Sequence, residues 1–219
     1  MAPGVLVRFV SETHVSSDEI FIVDDDPMVN DLLTMTFRSE GYRVTSFSDG
    51  ERFNAVARLR VPACIILDVF MPGRSGLDIL KEINAHNYAA PIIVMSGNAS
   101  IPMAVEAVKN GAFDIIEKPF ALETIVTRVR EVIDAWMRRR ATGNNSEILS
   151  AEFPGFERLM QRELEVLAEI TAAASNREAG SHLGISPRTI EVHRGRIMMK
   201  LGAKNTADLV RIALTKRQH

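Results

Sequence analysis

A chain of 219 residues with 46% hydrophobic and 25% charged residues carries apolar material for two buried cores, and that balance excludes a disordered polymer. The net charge of -2 conceals two unlike ends: residues 1–137 hold 12 Lys and Arg against 19 Asp and Glu, whereas residues 157–219 hold 11 against 7. No run of about 18 apolar residues occurs, which excludes a membrane-spanning helix; the one cysteine, Cys64, excludes an internal disulfide and fits a reducing cytoplasm.

Residues 1–18 lack the charged start, long apolar centre and cleavage site of a secretory leader, and are expected to be a loose tail. From there to residue 137, short apolar runs alternate with stretches of helical period. Ile20–Val23, Arg43–Ser46, Ala63–Leu67, Ile92–Met95 and Asp114–Ile116 are predicted strands. Pro27–Glu40, Asp49–Arg58, Gly76–Asn84, Ile101–Asn110 and Ala121–Trp136 are predicted helices, with Gly41 and Gly111 as stops. Continuous apolar strands imply burial on both faces, so residues 19–137 are expected to form an α/β, doubly wound, five-stranded parallel sheet. Residues 138–156 lose periodicity and collect Arg, Gly, Asn, Ser and Pro, as a linker does. Residues 157–219 are expected to form an all-α domain of four helices, near Gln161–Ala173, Asn176–Leu183, Pro187–Leu201 and Thr206–Thr215.

In a parallel sheet, sites lie at the carboxyl ends of the strands. Asp24, Asp25 and Asp26 follow the first predicted strand, Asp68 the third, Ser96 the fourth and Lys118 the fifth. Carboxylates gathered on one rim repel unless a cation joins them, and a hard divalent ion with oxygen ligands, Mg²⁺ above all, is the economical answer. The chemistry expected of such a cluster is phosphoryl transfer onto a carboxylate, with the barrier lowered by charge neutralisation and alignment. Asp68 is the expected phosphoacceptor. Asp24, Asp25, Asp68 and the Phe70 carbonyl are the expected metal ligands, and Ser96 and Lys118 hold phosphoryl oxygens. Asp26, immediately before Pro27, reads as a helix cap.

The motifs VDDD, LDVFMPGRSG, VMSG and EKPF, in that order, make residues 20–136 resemble a CheY-like receiver domain of flavodoxin-type topology. The resemblance implies phosphotransfer from a sensor histidine kinase, Mg²⁺ dependence and a cis peptide before Pro119. Receivers usually carry an aromatic three residues before the Lys as the switch residue; here that position is Ile115, which has no ring to swing. Phe70, two residues after Asp68, is bulky enough to hinder water at an acyl phosphate.

In the last domain a helix, a break at Gly184, and Ser186 as cap before Pro187 give the punctuation of a helix-turn-helix. On a helical wheel Ile190, Ile197 and Leu201 face inward with Arg194 snorkelling and His193 at the edge, while Arg188, Val192, Gly195 and Met199 face outward. Arg188, Thr189, Glu191, Val192 and Gly195 are the expected contacts on the groove side. Arg194, Arg196, Lys200 and Lys204 are the expected grips on the backbone. The stretch from Ser175 to Val210 resembles a LuxR-type domain, and with the receiver the chain resembles the FixJ/NarL class of response regulators. That resemblance implies a non-enzymatic DNA-binding regulator of a promoter, a homodimer on an inverted repeat formed through the last helix (Leu209, Val210), and RNA polymerase as a further partner. Two other readings stay open. One is a DNA-binding regulator indifferent to phosphorylation, motivated by Ile115; the other is an Asp-nucleophile phosphatase, which wants a second acid where Phe70 stands.

Overall fold

Runs in which every residue is apolar have no face to offer water, and they become the strands of one parallel sheet in the computed structural model, which describes residues 16–97, 100–141, 156 and 159–216. The strands β1 (Glu19–Val23), β2 (Arg43–Phe47), β3 (Cys64–Asp68), β4 (Ile92–Ser96) and β5 (Asp114–Glu117) lie in the order β2-β1-β3-β4-β5, all neighbours parallel. Residues of β1, β3 and β4 are buried throughout, whereas the edge strand β2 is largely accessible.

Five helices cover the sheet: α1 (Pro27–Ser39), α2 (Gly50–Ala57), α3 (Gly76–Glu82), α4 (Ile101–Lys109) and α5 (Leu122–Ala141). Strand residues alternate between the two layers. Ile20, Ile22, Cys64, Ile66, Ile93 and Met95 pack with α1 and α5. Phe21, Val23, Ile65, Leu67 and Val94 pack with α2, α3 and α4. Local chemistry starts the first three: Asp26 accepts a hydrogen bond from the Met28 amide, Asp49 from Arg52, and Ser75 with Asp78 closes a reciprocal cap on α3. Burial pushes the Cys64 thiol well up, as suits core filler.

The second domain contains α6 (Gln161–Thr171), α7 (Asn176–Leu183), α8 (Pro187–Leu201) and α9 (Thr206–Lys216). Ser175 and Ser186 cap α7 and α8, and Gly184 and Gly202, both at positive φ, end them. Among the described residues no helix is long and apolar enough to cross a membrane.

Several boundaries differ from expectation. Residues 138–141, placed in the linker, complete α5: three arginines suit the negative end of a helix, and Trp136 and Arg140 both donate to the Ala89 carbonyl. Residues 16–18, placed in the tail, are tied down by the Ser16 amide to the Val61 carbonyl and by Arg43 to Asp18. The rest of the tail lies outside the described residues, as does the remaining linker except the buried Phe156. Strands β2, β3, β4 and β5 each extend one residue further at the carboxyl end, so Asp68 and Ser96 are last residues of strands.

The turn after α6 is closed by Ala173 at φ +60, its amide bonded to the Ile170 carbonyl, where a residue with a Cβ is strained. Replacing Ala173 by Gly is expected to stabilise the protein by about 1 kcal/mol in equilibrium denaturation, the relieved strain outweighing the added chain entropy.

Candidate functional site

Because all five strands run the same way, their carboxyl ends meet at one rim, and four of them deliver the polar residues named from sequence. Asp24, Asp25 and Asp68 each place a carboxylate oxygen within 4.8 Å of the others. Asp24 and Asp68 are buried and Asp25 is exposed. The Lys118 ammonium bridges the two buried acids, at 2.7 Å from Asp24 Oδ2 and 2.6 Å from Asp68 Oδ1. Lys118 is positioned through its amide, which donates to the Ser96 carbonyl at 2.8 Å, and its peptide bond to Pro119 is cis as expected. Ser96 is fully buried at the end of β4.

The remaining bonds fix the carboxylates. The Phe70 amide donates to Asp68 Oδ2 at 2.7 Å, and the Asp26 amide to Asp24 Oδ1 at 3.0 Å. Burial raises the Asp68 pKa, and the opposing hydrogen bond and charge of Lys118 do not reverse it. Burial acts to lower that of Lys118, but its bonds to Asp24 and Asp68 outweigh it and the net direction is up. By count, one ammonium stands against three acids. An all-oxygen set around that excess fits a hard divalent cation.

Two contributors went unnoticed in the sequence. Gly76 lies so close to the Asp68 carbonyl that a Cβ would sit 2.1 Å from its oxygen, and the glycine in MPGRSG was the available signal. Asn30 donates its amide to the carbonyls of Asp24 and Phe47, an internal tie that nothing in a local pattern reveals. Ile115 is buried in the layer of α2, α3 and α4, so an apolar side chain fills the position where receivers usually keep a mobile ring.

The residues named for DNA contact lie on α8, except Lys204, which follows it, and α8 is docked on the first domain. Val192 points away from its own domain's core as the wheel required, yet it is only 7% exposed because it packs into the cluster containing Ile115 and Ala107. Thr189 is fully buried, its hydroxyl donating to Asp114 Oδ1 at 2.7 Å, and the Ser186 amide donates to the same oxygen at 2.9 Å. Arg188 lies 3.7 Å from Glu117. Arg196, expected on a DNA backbone, is buried beside Glu163 of α6 at 3.5 Å, and Lys200 reaches the other oxygen of Glu163 at 2.5 Å. Arg194 is half-buried against Asn176, whereas Glu191, Gly195 and Lys204 are exposed. Leu209 corrects an expectation: it is fully buried in its own domain's core, because α9 turns that face inward, so it is no surface for a second chain; Val210 is half-buried. Asp114 was read only as the start of a strand; the signal available was an acid opening an apolar run.

Residues 20–130 match the family described as response regulator receiver domain, and residues 157–213 match the bacterial regulatory proteins of the luxR family. The transcriptional regulatory protein FixJ of Azorhizobium caulinodans is 37% identical over 195 residues, covering 89% of this chain and 91% of its own. The response regulator protein TmoT of Ectopseudomonas mendocina is 37% identical over 213 residues, covering 96% and 93%. Among solved structures, full-length FixJ from B. japonicum superposes with a TM-score of 0.51 at 33% identity, covering 93% of this chain and 99% of that one.

His193 is 4% exposed, and its pKa is pushed down to about 3, first by burial and then by the charges of Arg162, Arg196 and Lys200. A folded-state value below the unfolded one gives stability that is whole above pH 6.5 and is lost as the pH falls toward 3, since only the unfolded chain takes up the proton. Thermal melts are expected to show the wild type losing about 2 kcal/mol more than His193→Gln between pH 8 and pH 5.

Proposed function

Since the chain belongs to the response regulators that join a receiver to a LuxR-type DNA-binding domain, and is thus a phosphorylation-switched transcriptional regulator, we propose which residues carry each step. Residues 19–137, with the last turn of α5, form the receiver, and residues 157–219 form the DNA-binding domain. The sensor kinase docks beside the acidic rim, where α1 leaves Met28, Leu32 and Met35 exposed.

A carboxylate oxygen of Asp68 attacks the phosphorus carried on the kinase's histidine. A P–O bond forms as the P–N bond breaks, leaving an acyl phosphate on Asp68. Lys118, already hydrogen-bonded to that carboxylate, turns to an arriving phosphoryl oxygen, and Ser96 donates its hydroxyl to another. Asp24, Asp25 and Asp68, with the Phe70 carbonyl, are the residues suited to hold Mg²⁺, which when bound neutralises phosphoryl charge. The added charge of about -1.5 to -2 biases the protein toward an arrangement in which α8 is free. The released protein binds as a homodimer to an inverted repeat, and the basic segment from Pro187 onward, with 8 Lys and Arg against 2 Asp and Glu, supplies attraction to the phosphate backbone.

The observation that carries this reading is the burial of Thr189 and Val192, the expected groove-facing residues, against the receiver. A helix so covered cannot enter a groove. Binding to genomic DNA fragments is expected to tighten at least tenfold when acetyl phosphate and Mg²⁺ are added, and Asp68→Asn is expected to abolish the gain. Equal binding with and without the phosphodonor would instead establish a regulator indifferent to phosphorylation. The Phe70 side chain, 58% exposed beside Asp68, shields the acyl phosphate from water. Phe70→Asn is expected to shorten its half-life several-fold, read by loss of label from the phosphorylated protein.

A further inference from the structure

The first turn of α8 is occupied in an unusual way. Asp114, at the opening of β5, is fully buried, and one of its oxygens, Oδ1, accepts from both the Ser186 amide and the Thr189 hydroxyl. Both donors belong to the other domain. Its second oxygen, Oδ2, makes no hydrogen bond among the described residues and lies 3.5 Å from the Arg128 guanidinium. The Ser186 hydroxyl meanwhile caps its own helix by accepting from the Thr189 amide and lies 2.9 Å from the Thr189 hydroxyl; with the Ser186 hydroxyl donating across that pair, the Ser186 amide and the Thr189 hydroxyl proton point to an outside anion.

An amide and a hydroxyl converging on one oxygen at the positive end of a 15-residue helix are the groups that proteins use to grip a DNA phosphate. The helix is the one that reads DNA, and its first turn would lie at the edge of the groove, where the backbone passes. Nor does Asp114 act alone: at the other end of β5, Glu117 stands 3.7 Å from Arg188, a second position expected to meet DNA. A strand with an acid at each end thus faces two positions of a helix built to face polyanion.

We propose that the Ser186 amide and the Thr189 hydroxyl form a phosphate-binding site of the DNA-binding domain, and that Asp114 fills this site in the docked state as a substitute for a DNA backbone phosphate. This rests on the reading of α8 as the DNA-contacting helix. It goes further in assigning one set of donors to two competing acceptors, so that docking and DNA binding exclude each other by shared chemistry as well as by bulk. Thr189 therefore contributes twice, and the two contributions separate in a double variant.

The test uses the full-length chain without phosphodonor, and a random-sequence DNA duplex at low salt, which reports backbone binding. Asp114→Ala is expected to tighten binding about tenfold or more and to steepen its dependence on salt, and Asp114→Asn, which keeps the shape and removes the charge, to do so in part. Adding Thr189→Val to Asp114→Ala is expected to cancel several-fold of that gain, and Thr189→Ser in the same background to restore it. If the double variant binds as tightly as Asp114→Ala alone, Thr189 serves docking only and the phosphate site is disproved. If both Asp114 variants melt like the wild type yet bind no tighter, the substitution of carboxylate for phosphate is disproved. A wild type that fails to respond to acetyl phosphate, beside an Asp114→Ala variant that gains, would remove the phosphorylation switch and leave this competition standing.

Discussion

Three carboxylates within 4.8 Å of one another at the end of a sheet would drive each other toward protonation or drive the strands apart, and the Lys118 ammonium set between two of them is what makes the rim tolerable. The compensation is incomplete, since one ammonium stands against three carboxylates. This incompleteness is what makes the rim useful. A fully neutralised cluster would have no call for further positive charge, whereas this one is poised to take up a cation and, with it, a phosphoryl group. Lys118 is held in turn through the Ser96 carbonyl, so the end of β4 and the chain leaving β5 form one unit with the charge they support.

The same strand serves two tasks. Asp114 at the start of β5 holds the first turn of α8, Glu117 at its end faces Arg188, and Lys118 follows at once. Only three residues thus lie between Lys118, which touches Asp68, and Asp114, which holds the helix of the other domain. Between them Ile115 packs in the cluster that also receives Val192. Coupling over such a span needs no long relay: a small displacement at one end of a short rigid strand is felt at the other. It also gives the Ile at position 115 a role as packing against the docked helix, where a ring would have had to find other space.

Most of the fold and the acidic rim were legible because their information is local. Apolar runs such as CIILD admit no exposed face, Asp26-Pro27 and Ser186-Pro187 mark helix starts by their own chemistry, and parallel strands must deliver their following residues to one edge. What escaped was set by contacts between distant segments. The helical wheel rightly turned Val192 away from its own core, but no periodicity could reveal that another domain would receive it. Asp114 looked like the polar start of a strand until its partners 72 and 75 residues later came into view. Leu209 was misread for a related reason: an apolar side chain on a final helix has no mark distinguishing its own core from a second chain's.

At Gly184 the two domains leave no room for an added atom. The residue ends α7 at φ +66, and a Cβ there would stand 2.3 Å from that of Ala135 on α5. The seam between the halves is therefore closed to within the width of a methyl group, and closed by a missing side chain instead of an adhesive one. Lineages carrying this architecture can lose restraint through one codon, since any replacement there acts as a wedge whatever the chemistry at the far rim.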